Sequence, residues 1–275
     1  MILSDIKKID ALREKYGHVC AAHCSAAHCG LALFIYAEEQ GLCVSVFDDG
    51  FCVADRAGRY YFPVGSEDFK ADFIKNHRGR RLIMMRESDI GFVRALIPDF
   101  EPERDRDRDE YVYSRSEQAS LEGHKFQKVR AKLSRFCREN DVKSAPLTSG
   151  NLADAYAILD AWEPRTGEGD AQGARKALDN YAALGLCGVV TYLNGTPAGY
   201  CCGAGIGGGV YLLCSAKQND GVQGLDLYTK HSLYVALPDC VTLINTESDH
   251  GSPGIRMHKN DQRPVMMNEM YGGVL

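Results

Sequence analysis

The stretch that decides the fold is CGVVTYLNGTPAGYCCGAGIGGGVYLLCSAKQNDGVQGLDLYTKHSLYVALPDCVTLINTES, residues 187–248. Asn194-Gly195 is the pair a tight type I′ turn requires, so CGVVTYL and TPAGYCCGAGI on either side of it read as a hairpin. GVYLLCSAK reads as a third strand, QNDGVQG as a glycine-bearing loop, LDLYTKHSLYVAL as a helix and VTLINTES as a further strand. MNEMYGGVL then closes the chain as a last strand.

The same order recurs, more weakly, upstream. GLCVSVF, an Asp-Asp-Gly turn, FCVAD, Ala57-Gly58 and RYYFP make a meander through Phe62. Ser66 is placed to cap a helix over EDFKADFIKNHRG that stops at Gly79. RRLIMMRES reads as a strand and DIGFVRALI as a short helix. Meander, strand, loop, helix, strand is the core order of the GNAT acyltransferase fold. The expectation is therefore an α/β chain of two tandem GNAT-like units, each a mixed, mostly antiparallel sheet flanked by helices. The units are placed at residues 1–108 and 109–275, as a repeat of shape rather than of residue identity.

Between them, EPERDRDRDE (residues 101–110) has no apolar periodicity and reads as a solvated connector. A strand, YVYS, follows. Leu121 to Asn140 is the most periodic helix, with Phe126, Val129, Leu133, Phe136 and Cys137 as the buried stripe. Lys125, Lys128, Lys132 and Arg135 form a second stripe beside it, and Arg130 lies on the opposite flank. Further helices are predicted over Asn151–Trp162 and Ala171–Leu184.

Composition narrows the class. With 45% hydrophobic and 25% charged residues in 275, the chain buries a full core. Its net charge of −5 excludes a general nucleic-acid binder and leaves only a local basic patch for such contacts. No apolar run approaches the roughly 20 residues that span a bilayer. The N-terminal MILSDIKKIDALREKYG is a charged amphipathic helix without the apolar centre of a signal peptide, so the cytoplasm is the expected location. Eleven cysteines, mostly in apolar runs, read as reduced core thiols rather than a disulfide framework.

Four constellations are candidates for chemistry. The loop from Ala216 to Gly224 joins a strand to a helix N-terminus, a natural anion site, and offers Lys217, Gln218, Gly221 and Gly224 to a cofactor pyrophosphate; a plain connection fits the same pattern. NTESDHGSPGIRMHKNDQRP, Asn245 to Pro264, begins at a strand end, where ligands collect in α/β sheets. There Glu247, Asp249 and His250 are candidates to orient or deprotonate an amine, and Arg256, His258 and Lys259 to hold a phosphate or carboxylate; a polar surface loop is the other reading. The basic helix, with Lys125, Lys128 and Arg130, either attracts phosphates or is a solvated face. Finally, His18, Cys20, His23, Cys24, His28 and Cys29 crowd one segment. Their spacing matches no metal knuckle, so packing rather than a metal is expected. Trp162, the only tryptophan, either packs or lines a pocket.

Four of these segments also carry a resemblance. YYFPVGS (Tyr60 to Ser66), RDRDEYVYS (Arg106 to Ser114), LEGHKFQKVRAKLSRF (Leu121 to Phe136) and GSPGIRMHKNDQRP (Gly251 to Pro264) are similar to the C-terminal domain family of phosphatidylglycerol lysyltransferases and its uncharacterised bacterial relatives. The resemblance runs from about Phe34 to Tyr271. The combination of Asn245, Glu247, Asp249, Gly251, Gly254, Arg256 and Lys259 is its most specific part. The family helix usually has two adjacent lysines after its glycine and Lys-Arg-Asn later; here His124 replaces the first lysine, and Val129 and Ala131 flank Arg130. The resemblance implies two tandem GNAT-like folds and transfer of an aminoacyl group from aminoacyl-tRNA to a hydroxyl or amine. Lipid-directed members join this domain to a membrane-spanning half, which these residues lack, so a soluble small-molecule, peptide or protein acceptor is expected. The expected chemistry is direct transfer, with Glu247 or Asp249 orienting the acceptor and Lys125, Lys128, Arg130, Arg256 and Lys259 neutralising phosphate on the tRNA acceptor end. Two alternatives stay open: an N-acetyltransferase using acetyl-coenzyme A, and a non-catalytic nucleotide- or RNA-binding module.

Overall fold

The computed structural model describes residues 1–19, 24–166, 170–219 and 221–275, with the backbone alone for 164–166. The chain opens with helices α1 (Leu3–Lys15) and α2 (Gly30–Tyr36). Strands β1 (Cys43–Val46), β2 (Gly50–Ala54), β3 (Tyr60–Tyr61) and β4 (Val64–Gly65) follow, then α3 (Glu67–Asn76), β5 (Arg81–Met85), α4 (Glu87–Leu96) and β6 (Glu103–Arg104). The second half runs β7 (Glu110–Ser114), α5 (Arg115–Ser120), α6 (Gln127–Glu139), β8 (Val142–Pro146), α7 (Leu152–Thr166), α8 (Ala171–Asp179), β9 (Cys187–Leu193), β10 (Thr196–Gly205) and β11 (Val210–Gln218). It ends with α9 (Leu225–Ala236), β12 (Leu243–Asn245), α10 (Pro253–Asp261), β13 (Met266–Asn268) and β14 (Tyr271–Val274).

Two mixed sheets result. The first has the order β1-β2-β3-β5-β14-β6, and the second, read inward from its edge strand β8, has β9-β10-β11-β12-β7-β13. The two orders match place by place. In each, the third and fourth strands form the sheet's parallel pair, β3 with β5 and β11 with β12, and the connecting helix is α3 or α9. This is the GNAT order in both halves. In the fifth place the halves exchange strands. β7 follows β6 in the chain but pairs with β12 and β13, while β14 follows β13 but pairs with β5 and β6. A cut at 108/109 therefore separates β14 from its sheet, and MNEMYGGVL is two strands serving different sheets rather than one. The break falls at Glu269-Met270, where Met270 is fully buried.

Strand periodicity explains the layers. In β5, Ile83 faces α1 together with Ile9, Leu12, Phe51 and Val53, while Leu82 faces α3 and α4 with Phe73, Ile74 and Val93; Met84, at φ +53, interrupts the alternation, and Met85 joins the Leu82 side. In β10, Tyr200 and Cys202 join α2, α7 and α8 on one face, and Cys201 joins the α9 face. All seven residues of α2 are buried. This N-terminal helix thus packs into the core of the second half, a tie that runs in the same sense as the exchanged strands.

Several predicted elements are refined. Ser66 Oγ caps α3 by accepting the Phe69 N–H at 3.1 Å. The long basic helix starts later than its periodicity suggests. Leu121 takes φ +52, a 3-10 turn covers His124–Phe126, and α6 runs from Gln127. Phe126, Val129 and Phe136 are buried, but Cys137 is exposed. Of the described cysteines, Cys24, Cys29, Cys201, Cys202 and Cys214 are core residues, whereas Cys43, Cys137, Cys187 and Cys240 are exposed.

The charge run is not a solvated connector at its end. Asp109 and Glu110 are buried, because β7 enters the centre of the second sheet directly after them. Asp109 accepts from Arg104 at 2.7 Å and from the Met270 N–H at 2.9 Å, which satisfies a charge that burial alone would make costly. No helix among the described residues is long and apolar enough to cross a membrane.

Candidate functional site

The site forms where the second sheet's parallel pair parts. β12 pairs with β11 only over Leu243–Asn245 against Val210–Leu212, and β11 runs on to Gln218 without it. Thr246 and Glu247 keep main-chain bonds to Tyr111 of β7, and residues 248–252 then leave the sheet before α10 starts at Pro253. Glu247, His250 and Gly251 all have positive φ (61°, 49° and 76°), so this segment is a tightly wound turn rather than an extended link.

Glu247 is partly accessible, and its carboxylate reaches the edge that β12 leaves open. The Tyr36 hydroxyl lies 3.0 Å from the Cys214 carbonyl of β11 and 3.1 Å from Glu247 Oε2. A phenol has one proton. Both contacts are hydrogen bonds at once only if Glu247 is protonated, donating to Tyr36 while Tyr36 donates to Cys214. Burial pushes the Glu247 carboxyl up from its ordinary value, opposed by the Lys259 charge and the Tyr36 contact and reinforced by Asp170.

Lys259, from α10, points back under the turn. Its ammonium donates to the main-chain carbonyls of Thr246, Glu247 (3.1 Å) and Ser248 (2.9 Å). Burial pulls it below the ordinary lysine value, opposed by the Glu247 charge. The cation holds the turn through its backbone, with no direct ion pair to the Glu247 carboxylate among the described contacts.

Asp249 behaves oppositely to Glu247. It is fully buried, and its oxygens accept from Arg256 Nε and a terminal guanidinium nitrogen of Arg256 (both 2.9 Å), Tyr111 OH (2.6 Å), the Gly251 N–H (2.9 Å) and, at 3.4 Å, Arg106. Burial alone would raise it, but these donors outweigh that and hold it at about 2. Arg256 is bidentate on Asp249 and also reaches Asp107 at 2.7 Å. Asp249 and Arg256 therefore fasten the turn to the segment before β7, and only Glu247 of the two carboxylates is placed to exchange a proton near neutral pH.

Asn245 ends β12 and is fully buried. Its side-chain oxygen accepts the Glu247 N–H at 2.8 Å, and its amide nitrogen donates to Glu110 at 2.7 Å. On the far wall, the Lys217 ammonium is paired with Asp170 and stands 4.0 Å from the Trp162 ring centroid. Trp162 both packs on the core and forms this wall.

The other sequence candidates have partners or surroundings of their own. Lys125 pairs with Glu117 at 2.7 Å, Lys128 is exposed without a partner among the described residues, and Arg130 donates to the carbonyls of Leu121 and Gly123, bracing the turn before α6. No hydrogen bond or ion pair among the described residues joins these three side chains to Arg256 or Lys259. Lys217 and Gln218 both belong to β11, opposite Tyr200 and Gly199, and the Lys217 side chain is buried against Asp170 and Trp162. Gly221 stands in open space, while Gly224, at φ +97, caps α9; a Cβ there would meet Phe136 Cβ at 2.9 Å. Asp226 occupies the first turn of α9, paired with Lys230 and His258.

In the N-terminal His/Cys segment, Cys20 and His23 lie outside the described residues. His28 Nε2 contacts the Phe62 carbonyl at 3.0 Å, and His18 meets Arg86 at 3.3 Å. Among the described residues no group of three or more His, Cys, Asp or Glu side chains is placed to hold a metal ion.

Sequence reasoning missed Tyr36, Glu110, Tyr111, Asp170 and Asn268. Tyr36 ends an entirely apolar helix, and Glu110 closes a run of ten mostly charged residues, so neither stands out locally.

The sequence model of the family described as phosphatidylglycerol lysyltransferase, C-terminal, matches residues 31–267. No curated protein matches the chain. Among solved structures, a conserved protein of unknown function from Bacteroides thetaiotaomicron is 23% identical with a TM-score of 0.87, over 100% of this chain and 98% of its own. The C-terminal domain of a protein described as a putative lysylphosphatidylglycerol synthetase from Agrobacterium fabrum is 12% identical, TM-score 0.69, over 98% and 91%. L-PGS from Bacillus licheniformis is 14% identical, TM-score 0.65, over the same shares. At these identities the likeness is one of fold.

Proposed function

Because the chain belongs to the phosphatidylglycerol lysyltransferase C-terminal family, we propose that it moves an acyl group, an aminoacyl group from aminoacyl-tRNA in the first instance, onto an amine or hydroxyl acceptor by direct attack. The observation that carries this reading is the Glu247 carboxyl, raised by burial on a residue that stays partly accessible, in the gap where β12 stops and β11 continues. In its ionised form it takes the proton from the acceptor N–H or O–H as the lone pair attacks the acyl carbonyl. The ester C–O bond of the donor then breaks, and the ribose oxygen leaves as a hydroxyl, taking the proton that Glu247 has received, which returns the carboxylate to its ionised form. Main-chain N–H groups along the open edge of β11 are the candidate donors to the developing oxyanion. Asp249, Arg256 and Lys259 act in this reading as braces of the turn, and Asn245 sets its first residue.

Two features favour aminoacyl-tRNA over acyl-coenzyme A as donor. Lys217 is committed to Asp170, and Asp226 places a carboxylate in the first turn of α9, where a pyrophosphate would have to sit. Meanwhile α6 contains no acidic residue before Glu139 and presents Lys128, Lys132, Arg135 and Arg138 to solvent, a phosphate-attracting surface on a chain of net charge −5. Residues 1–108 and 109–275 are read as two copies of one ancestral unit that later exchanged β7 and β14, and the protein as cytoplasmic. The test is a single-turnover assay with charged tRNAs and a panel of amines, alongside calorimetric titration with coenzyme A. Transfer that requires Glu247 supports the reading. Tight coenzyme A binding with no loss of charged tRNA would instead favour an acetyltransferase, and retention of tRNA without transfer a binding module.

A further inference from the structure

Glu110 is a buried carboxylate with no cation among its hydrogen-bonding partners. It is satisfied entirely by neutral donors. Oε1 accepts from Ser25 Oγ at 2.8 Å and the Ala27 N–H at 3.1 Å. Oε2 accepts from the Ala26 N–H at 3.1 Å, Asn245 Nδ2 at 2.7 Å and Asn268 Nδ2 at 2.9 Å. These donors come from the segment before α2, from the end of β12 and from the end of β13, so one carboxylate gathers both halves. Keeping a charge there is expensive unless every oxygen is filled, which is the case.

From this we propose that Glu110 is a positioning residue for Glu247, acting through the Asn245 amide. The relay has a fixed direction. Because Glu110 only accepts, Asn245 must turn its NH2 toward it, which turns its carbonyl oxygen toward the Glu247 N–H at 2.8 Å. That bond holds Glu247 in its φ +61 conformation, which a residue with a side chain adopts only when its surroundings impose it. The left-handed backbone in turn swings the carboxyl onto Tyr36, in the gap beside β11. The inference rests on the transferase reading only for the use made of Glu247; the relay itself is independent of it.

Glu110→Gln tests the direction of the relay. An amide in place of the carboxylate brings a donor to a site that meets donors on every side. The least costly response is for Asn245 to flip, so that its NH2 faces the Glu247 N–H, donor against donor, and the turn is released. Adding Asn245→Asp to Glu110→Gln restores an acceptor toward both neighbours and should re-form the turn. The readout is the carboxyl titration of Glu247 in the intact chain, followed by 13C NMR and assigned with Glu247→Gln. The charged groups facing Glu247 are Lys259, Asp170 and Glu110 itself, with Tyr36 the other titratable neighbour. To separate lost charge from lost position, Asn245→Ala is run in parallel, since it keeps the Glu110 charge and removes the amide that links it to Glu247, together with a 3.3 Å contact to the Cys24 carbonyl.

The expected result is that Glu110→Gln and Asn245→Ala both move the Glu247 midpoint down toward the ordinary carboxylate range, and that Glu110→Gln with Asn245→Asp moves it back. If Glu110→Gln does not fold, Asn245→Ala alone decides the matter. An unchanged Glu247 titration in folded Asn245→Ala overturns the proposal. Loss of transfer activity in Glu247→Gln is scored separately: if transfer survives that change, the transferase reading of Glu247 fails while the relay stands on its titration.

Discussion

The two sheets have the same strand order and the same parallel pair, the candidate site lies at the second, and they differ in how the chain leaves the fourth strand. In the first half β5 passes straight into α4. Arg86, the one residue between them, is the N-cap of the helix, and it closes on Asp89 with contacts of 2.8 and 2.9 Å. In the second half residues 246–252 intervene between β12 and α10, and they contain Glu247, Asp249 and the left-handed residues that aim them. A self-satisfied ion pair has no remaining capacity for a substrate. A raised carboxyl whose own proton rests on the Tyr36 oxygen does. Topology supplies the gap between parallel strands, and a wound loop at the strand's end supplies the chemistry.

The exchanged strands make the sharpest test of that comparison. Removing residues 271–275 takes β14 from between β5 and β6, and with it the Leu275 main-chain bonds to Gly79 and Arg80. The expected outcome is loss of cooperative unfolding of the first half in a urea titration followed by circular dichroism, although the deleted residues follow the second half in sequence. Next in size, Glu247→Gln is expected to lower transfer by about 100-fold or more with little change in thermal stability, as befits a proton acceptor. In the parent, the rate should rise with pH through a midpoint above the ordinary carboxylate range, because the ionised form is the base and burial has raised its value.

Asp249→Asn addresses the other carboxylate. It leaves Arg256 without its bidentate partner and should cost about 3 kcal/mol in urea unfolding. Since the folded value of Asp249 lies at about 2, below that of an unfolded aspartate, its stabilisation is complete above roughly pH 4 and disappears as the pH falls toward 2. Acid unfolding of the variant should therefore be less steep in that interval. Gly224→Ala, with its strained φ and its contact with Phe136, should cost about 2 kcal/mol through displaced α6–α9 packing. The smallest effect belongs to Lys128→Ala, which is expected to leave stability within about 0.5 kcal/mol while lowering the salt dependence of tRNA association.

Much of this is legible in the sequence, for identifiable reasons. The Asn194-Gly195 turn, the Ser66 cap and the strand–loop–helix–strand order are local signals, and they place the meander, α3 and the second sheet correctly. The Asn245–Lys259 segment stands out by its density of polar groups, and the structure gathers its Asn245, Glu247, Asp249, Arg256 and Lys259. The illegible part depends on distant partners. Alternation in YVYS indicates a strand, but nothing in it says that β7 and β14 trade sheets. Glu110 reads as solvated because its five donors come from residues 25–27, 245 and 268. Arg130, Lys217 and Gly224 read as ligand contacts by their charge or flexibility. Their neighbours instead use them to brace a turn, to pair with Asp170 and to admit Phe136.

The most direct measurement is a crystal structure of the full chain with a non-hydrolysable aminoacyl-adenosine, in which an amide replaces the ester at the ribose 3′ position. The account expects the aminoacyl carbonyl beside the Glu247 carboxylate, in the gap bordered by Tyr36 and the unpaired edge of β11. An aminoacyl group seated at the α9 N-terminus, or out of reach of Glu247, would contradict it.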